Sequence, residues 1–235
     1  MSRSAPPEPK RRPGRPAAAT PATGGAVRER MLDAATELFA SRGVAASTIA
    51  LIAAHAGVTG AMVHYYFKNR DQLLDAFIDE RVLPFVLSVW AEVPLAPPAD
   101  AIGMVLALAD RLMAGLPQRP WLPPLWIREI TAAGGELRDR MLQRLPLPRM
   151  AVFAASIAAA QARGDVHPDL QPGLVVLSIL GLVMLPLAAP AVVDKVLQPT
   201  APKPGAALDA AALRRHVHAL LAGGLKPPSL ARSAL

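Results

Sequence analysis

Between Arg42 and Arg70 the chain carries the cations Arg42, Lys68 and Arg70 and not one carboxylate. A stretch cleared of negative charge is what close approach to a phosphate backbone requires. Inside it, Thr59, Gly60, Ala61, His64 and Tyr65 fall at the start and along one side of a short apolar-periodic run, GAMVHYYF. That is where a helix lying in a nucleic-acid groove presents side chains to base edges. Gly60 and Ala61 have no long hydrogen-bonding group and suit close backbone approach with methyl or shape readout. His64 and Tyr65 are the candidate discriminators, with an idle exposed histidine as the alternative for His64. Met62 and Val63 read as packing residues, and His55 as a residue without a role.

Bond-making chemistry finds no comparable constellation. Cysteine is absent, which removes thiolate nucleophiles, thiolate metal sites and disulfides, and fits a reducing, cytoplasmic setting. His167-Pro168-Asp169 reads as a loop, and His216 and His218 stand two apart on a helical pattern, so they face different ways. No serine–histidine arrangement is flanked by glycines. No catalytic residue, metal ligand or cofactor site is identified, and the expectation is that the chain is not an enzyme.

The elements that position the 42–70 stretch follow from periodicity and caps. Val27, Met31, Ala34, Ala35, Leu38 and Phe39 recur at three- and four-residue steps, which predicts a helix from Ala26 to about Gly43. Thr48 opens a second short helix with a capping hydroxyl, and Gly57 closes it in the left-handed conformation. Only Val58 and Thr59 then intervene before the third, so the pair reads as a helix-turn-helix. A long helix starts at Asp71, with Leu73, Leu74, Phe77, Ile78, Leu83 and Phe85 on its apolar side, and runs towards Trp90. Beyond it, helices are expected at about 100–115, 121–132, 136–163, 173–188 and 207–222, separated by prolines. No run alternates with period two, so no strand is assigned. The fold class is all-α: an N-terminal helix-turn-helix three-helix domain (26–72) and a C-terminal helical domain (73–225), between a basic tail (1–25) read as disordered and a short tail (226–235).

Composition agrees. Hydrophobic residues make up 52 % and aromatics only 4 %, enough for a large helical core. The net charge is +7, and residues 1–25 hold much of the excess, with Arg3, Lys10, Arg11, Arg12 and Arg15 against Glu8 alone. Gly14-Arg15-Pro16 within that tail looks like a minor-groove element, the alternative being a generic basic arm. The charge-free stretch 173–193 is long enough to cross a bilayer, but Gly181, Pro186 and Pro190 interrupt it, and a buried core helix is the better reading. No membrane partner is expected, and no secretory signal is visible.

Several spacings converge on one family. AATELFASRG in the first helix, T-x-x-x-I-A-x-x-A-G-V-T at 48–59, Tyr66-Phe67, the basic Arg70, and acidic-x-Leu-Leu at Asp71–Leu74 together resemble the TetR-family DNA-binding domain. Family members usually carry Tyr where His64 stands and commonly Lys where Arg70 stands. The resemblance assigns Thr48, Tyr66, Lys68 and Arg70 to phosphate contacts, and Ser47 beside Thr48 joins the candidates. For Tyr66 a place in the core is the alternative.

For the body, the resemblance implies ligand sensing and dimerisation. Candidate pocket residues are Trp90, Met104, Leu108, Met113, Trp121, Trp126, Met150, Phe153 and Ile157, each with ordinary core packing as its alternative. Arg128 and Glu129, beside Trp126, either anchor a polar group or form a surface ion pair. The scarcity of polar candidates points to a hydrophobic or aromatic small-molecule effector. The two last long helices are apolar on more than one face and are expected to pair in a homodimer as a four-helix bundle. The implied function is a dimeric regulator, by family habit a repressor, released from a double-stranded DNA operator by its effector. The alternative is a nucleoid-type binding protein that uses its basic tail without effector control.

Overall fold

The computed structural model describes residues 24–197 and 209–227; the Gly14-Arg15-Pro16 element and most of both tails lie outside them. Among the described residues there is no strand. Helix α1 (Gly24–Arg42) buries Val27, Met31, Leu32, Ala35, Leu38 and Phe39 and begins two residues before Ala26. It stops at Gly43, whose φ of 88° is a left-handed conformation that favours glycine. Helices α2 (Ile49–Ala56) and α3 (Gly60–Phe67) cross at 106°. Helix α4 (Arg70–Phe77) is capped by the Asn69 side chain, which accepts from the Gln72 amide at 2.9 Å.

Helix α4 runs on through a π-helical turn (Ile78–Val82) into α5 (Leu83–Ala91). The turn has a local cause. Pro84 has no amide to donate to Glu80, and its ring crowds that carbonyl, so the chain widens to an i→i−5 bond from Leu83 to Ile78 instead. The widened turn aims its polar residues at α1. Arg81 donates to Glu29 at 2.7 Å and Asp33 at 2.9 Å, and both terminal nitrogens of Arg28 reach Glu80. The hydrogen bond from Arg28 holds the Glu80 carboxyl below its ordinary range.

The body comprises α6 (Ala101–Gly115), α7 (Leu122–Leu125) with a second π turn (Trp126–Thr131), α8 (Arg138–Leu142), α9 (Leu147–Ala162), α10 (Val175–Ala188), α11 (Pro190–Leu197) and α12 (Ala210–Leu225). Two elements differ from the sequence reading. The single helix expected over 136–163 is broken into α8 and α9, because Pro146 sits at ψ 61°, outside the helical region, and Pro148 follows in the first turn of α9. Helix α11 was not expected; Pro190 opens it, in the position where its missing amide costs nothing. Between the 172–188 segment and α11 the chain bends by 88°, and among the described residues no single helix is long and apolar enough to cross a membrane.

One apolar core runs from α1 to α12. Phe39 of α1 meets Phe77 of α4 edge-on at 5.1 Å, and Phe77 meets Trp121 at 5.9 Å, so the helix-turn-helix and the body share an aromatic seam.

Candidate nucleic-acid interface and effector cavity

The outward face of α3 is set by what its inner face buries. Val63 and Phe67 point into the core, which turns Ala61, Met62, His64, Tyr65 and Lys68 to solvent. Thr59 caps the helix, its hydroxyl accepting from the Met62 amide at 3.3 Å; Thr48 caps α2 the same way, from Leu51 at 3.2 Å. Gly57 joins the two helices at φ 67°. Tyr65 is 81 % exposed, a large aromatic left without cover by its own chain. Its ring stands edge-on to that of the half-buried Tyr66 at 5.1 Å. Met62, read as packing, is 37 % exposed and belongs to this face instead. His64 is exposed, with Nδ1 3.0 Å from the carbonyl of Lys68, leaving Nε2 facing away from that bond. Gly60 and Ala61 lie on the first turn, where an added Cβ on Gly60 would meet nothing within 4 Å.

Two candidates do not join the face. Ser47 is fully buried and gives its hydroxyl to the Gly43 carbonyl at 2.7 Å, so it has no reach to a groove. Arg70 turns inward: it donates to the carbonyls of Ser47 (2.5 Å) and Val44 (2.6 Å) and to Glu136 at 3.1 Å. Its charge is paired with Glu136 within the molecule. Thr48, at the start of α2, and Lys68, at the end of α3, remain exposed.

Arg128 and Glu129 do form the ion pair of one sequence reading, Nε to Oε1 at 3.4 Å, but Glu129 is buried and both also reach the helix-turn-helix. Arg128 donates to the last carbonyls of α1, those of Phe39 and Ala40. Glu129, only 6 % exposed, accepts from the Val44 amide at 3.0 Å. Both therefore brace the helix-turn-helix, and neither lines the cavity of the body.

A cavity of about 550 Å³ lies within the body, between α5, the α7–π segment and α10. Of the nine candidate lining residues, the structure places Trp90, Leu108, Trp126 and Met150 on its wall. The other five pack elsewhere. Phe153 lies edge-on to Trp90 at 5.7 Å, Trp121 backs onto Phe77, Ile157 is fully buried, Met104 borders a separate shallow depression, and Met113 packs on the outside of the core. Much of the wall was not singled out in the sequence: Phe85, Val86 and Val89 of α5, Ile127, Ile130 and Thr131 of the π turn, and Val176, Ile179, Leu180 and Met184 of α10. None of the described lining residues is charged, and the Thr131 hydroxyl is already given to the Ile127 carbonyl at 2.7 Å. The rim is marked by the exposed Leu142, Leu177 and Leu185.

Residues 31–77 match the family model of bacterial regulatory proteins, tetR family. The HTH-type transcriptional regulator SrpR of Pseudomonas putida is 29% identical over 116 residues, which is 49% of this chain. That match covers 53% of SrpR, about half its length. The structure of the ketosteroid transcriptional regulator KstR2 of Mycobacterium tuberculosis is similar over 85% of this chain and 94% of its own, with a TM-score of 0.62 at 17% identity. The regulator FadR of Bacillus subtilis, solved in complex with stearoyl-CoA, gives 0.59 at 20% identity over 83% of this chain and 98% of its own. At those identities the two structures establish a shared fold.

Proposed function

We propose that this chain, whose residues 31–77 match the family model of bacterial regulatory proteins, tetR family, is a dimeric repressor whose hold on an operator is released by a small, uncharged, hydrophobic or aromatic molecule. The observation that carries this reading is the body's cavity: about 550 Å³, two tryptophans on its wall, and no charge among its described lining residues. That volume suits a drug-sized guest. An ionised guest would give up its hydration for no counter-charge, so neutral compounds are favoured.

The DNA side of the proposal rests on α3. His64 and Tyr65 read bases, Thr48 and Lys68 hold phosphate, and Thr59 fixes the first turn. Pairing of two copies is supported by α10, which carries no charge and exposes Leu177 and Leu185, with Leu174 just before it, and by the exposed Leu220 of α12. A dimer would present two copies of α3 to half-sites about one helical turn apart. Occupancy of the cavity shifts the population towards a spacing that no longer fits them.

Footprinting on the DNA flanking the chain's own gene, with and without neutral aromatic compounds, tests the proposal. A protected two-fold site that is lost on adding such a compound is the expected result. Uniform protection of every duplex would favour the nucleoid-type reading and overturn this one.

A further inference from the structure

The two faces of the π turn Trp126–Thr131 lead to different places. Trp126, Ile127, Ile130 and Thr131 form part of the cavity wall. The two residues between them, Arg128 and Glu129, leave on the opposite side and grip the helix-turn-helix domain. We infer that this turn is the mechanical relay between cavity and DNA-binding domain, with Arg128 and Glu129 as the positioning residues that set the angle of α1 and α2. The inference rests on the effector-cavity reading above.

The grip is made at the end of α1 and on the Val44 amide, where the helix's own ladder runs out. The last carbonyls of a helix lack intrahelical donors, and a cation there is favoured by the helix dipole. Arg128 supplies both the donors and the charge at the end of α1. Val44 is fully buried, so the carboxylate of Glu129 is what satisfies its amide. From the other side, Arg70 holds the carbonyls of Val44 and Ser47 and is itself tied to Glu136, which follows the π turn by five residues. The end of α1 and the Val44 amide are thus held directly from one short piece of the body, and the carbonyls of Val44 and Ser47 indirectly, through Arg70 and Glu136.

The joint also has little slack. A Cβ on Gly43 would sit 3.3 Å from both Arg128 Nε and Glu129 Oε1. A Cβ on Gly135 would fall onto the Glu129 carbonyl. Close-packed contacts pass displacement on rather than absorb it. π turns are moreover frequent at functional sites, and here a guest pressing on Trp126 and Ile130 presses on the turn that carries Arg128 and Glu129.

Hydrogen exchange on the full-length protein tests the relay without an operator. The probe is N-phenyl-1-naphthylamine, neutral and fluorescent, whose binding is followed by quenching of tryptophan emission. Saturation with it is expected to raise amide exchange in the 40–48 segment by about fivefold or more, the lower end of ordinary coupling between sites. In Glu129→Gln, which keeps the acceptor, the response persists. In Glu129→Ala the probe still binds and the response disappears. Probe bound to the wild type with exchange at 40–48 unchanged would overturn the relay and leave the cavity reading standing, as would a full response in Glu129→Ala. Failure of the probe to bind at all would overturn the cavity reading and the relay with it.

Discussion

At the scale of single residues, the helix-turn-helix is held by small, local devices whose loss has a calculable effect. Thr48→Ala removes the acceptor for the Leu51 amide and is expected to cost about 1 kcal/mol, read from urea unfolding. Gly43→Ala is expected to cost about 1–2 kcal/mol for the left-handed backbone alone, before the added methyl meets Arg128 and Glu129. Both caps and glycine were legible in the sequence, because capping chemistry acts over three or four residues. Arg70 was not. Its type and position next to a cleared stretch suit phosphate, and nothing local reveals that the carbonyls of Val44 and Ser47, more than twenty residues back, claim it first. Ser47 fails for the same reason: exposure depends on what α1 and the body lay over it. On the recognition face, the double change His64→Ala with Tyr65→Ala is expected to cut discrimination between operator and unrelated duplex by about tenfold or more while non-specific binding persists. Unaltered discrimination in a competition titration would remove both residues from base reading.

At the scale of elements, helices carry their own register into their contacts. Asp71, Asp75 and Asp79 of the α4 segment, four residues apart, face Arg140 and Arg144 of the α8 segment, also four apart; Asp75 alone lies 2.9 Å from Arg140 and 3.0 Å from Arg144. These pairs are partly solvated, so a double-mutant cycle on Asp75 and Arg144 is expected to return under about 1 kcal/mol, shrinking in high salt. Asp110 of α6 is a second staple, taking Arg214 at 2.7 Å and His218 at 2.7 Å from α12. The hydrogen bond from Arg214, with His218 behind it, lowers the pKa of Asp110 from its ordinary value. A carboxyl depressed in the folded state stabilises above its unfolded pKa, and that contribution is lost as pH falls through its folded one. Acid is therefore expected to loosen α12 from α6, and Asp110→Asn to weaken that part of the acid dependence of melting. Element types were readable from periodicity, but breaks were not fully so: Pro146 lies in the break between α8 and α9, Pro190 begins a helix, and Pro84 is absorbed by a π turn. A proline restricts the chain without saying which of these solutions tertiary packing will choose.

For the molecule as a whole, the sequence indicated that a cavity-bearing body exists but not where its hollow is. Trp90 and Phe153 are both buried aromatics in contact, yet only the former faces the void. Residue type records what avoids water; it does not record where helices fail to meet. The α10 wall was missed on those grounds, since its run of apolar residues reads equally as solid core. Assembly belongs to this scale too. Leu220→Asp, on the exposed face of α12 and away from the cavity wall, is expected to raise the dimer dissociation constant by at least about tenfold in sedimentation, since a carboxylate would be stranded in an apolar contact. Sedimentation unchanged by that substitution would exclude this surface from the pairing.

A chamber whose walls offer neither counter-ion nor free hydroxyl has little with which to tell one oily guest from another. Affinity in such a space will follow how strongly a compound partitions out of water, up to the size the walls admit, and only weakly its functional groups. On the proposed reading, a protein built this way would behave less like a lock for one metabolite than like a gauge of lipophilicity, answering to a chemical property that many unrelated compounds share.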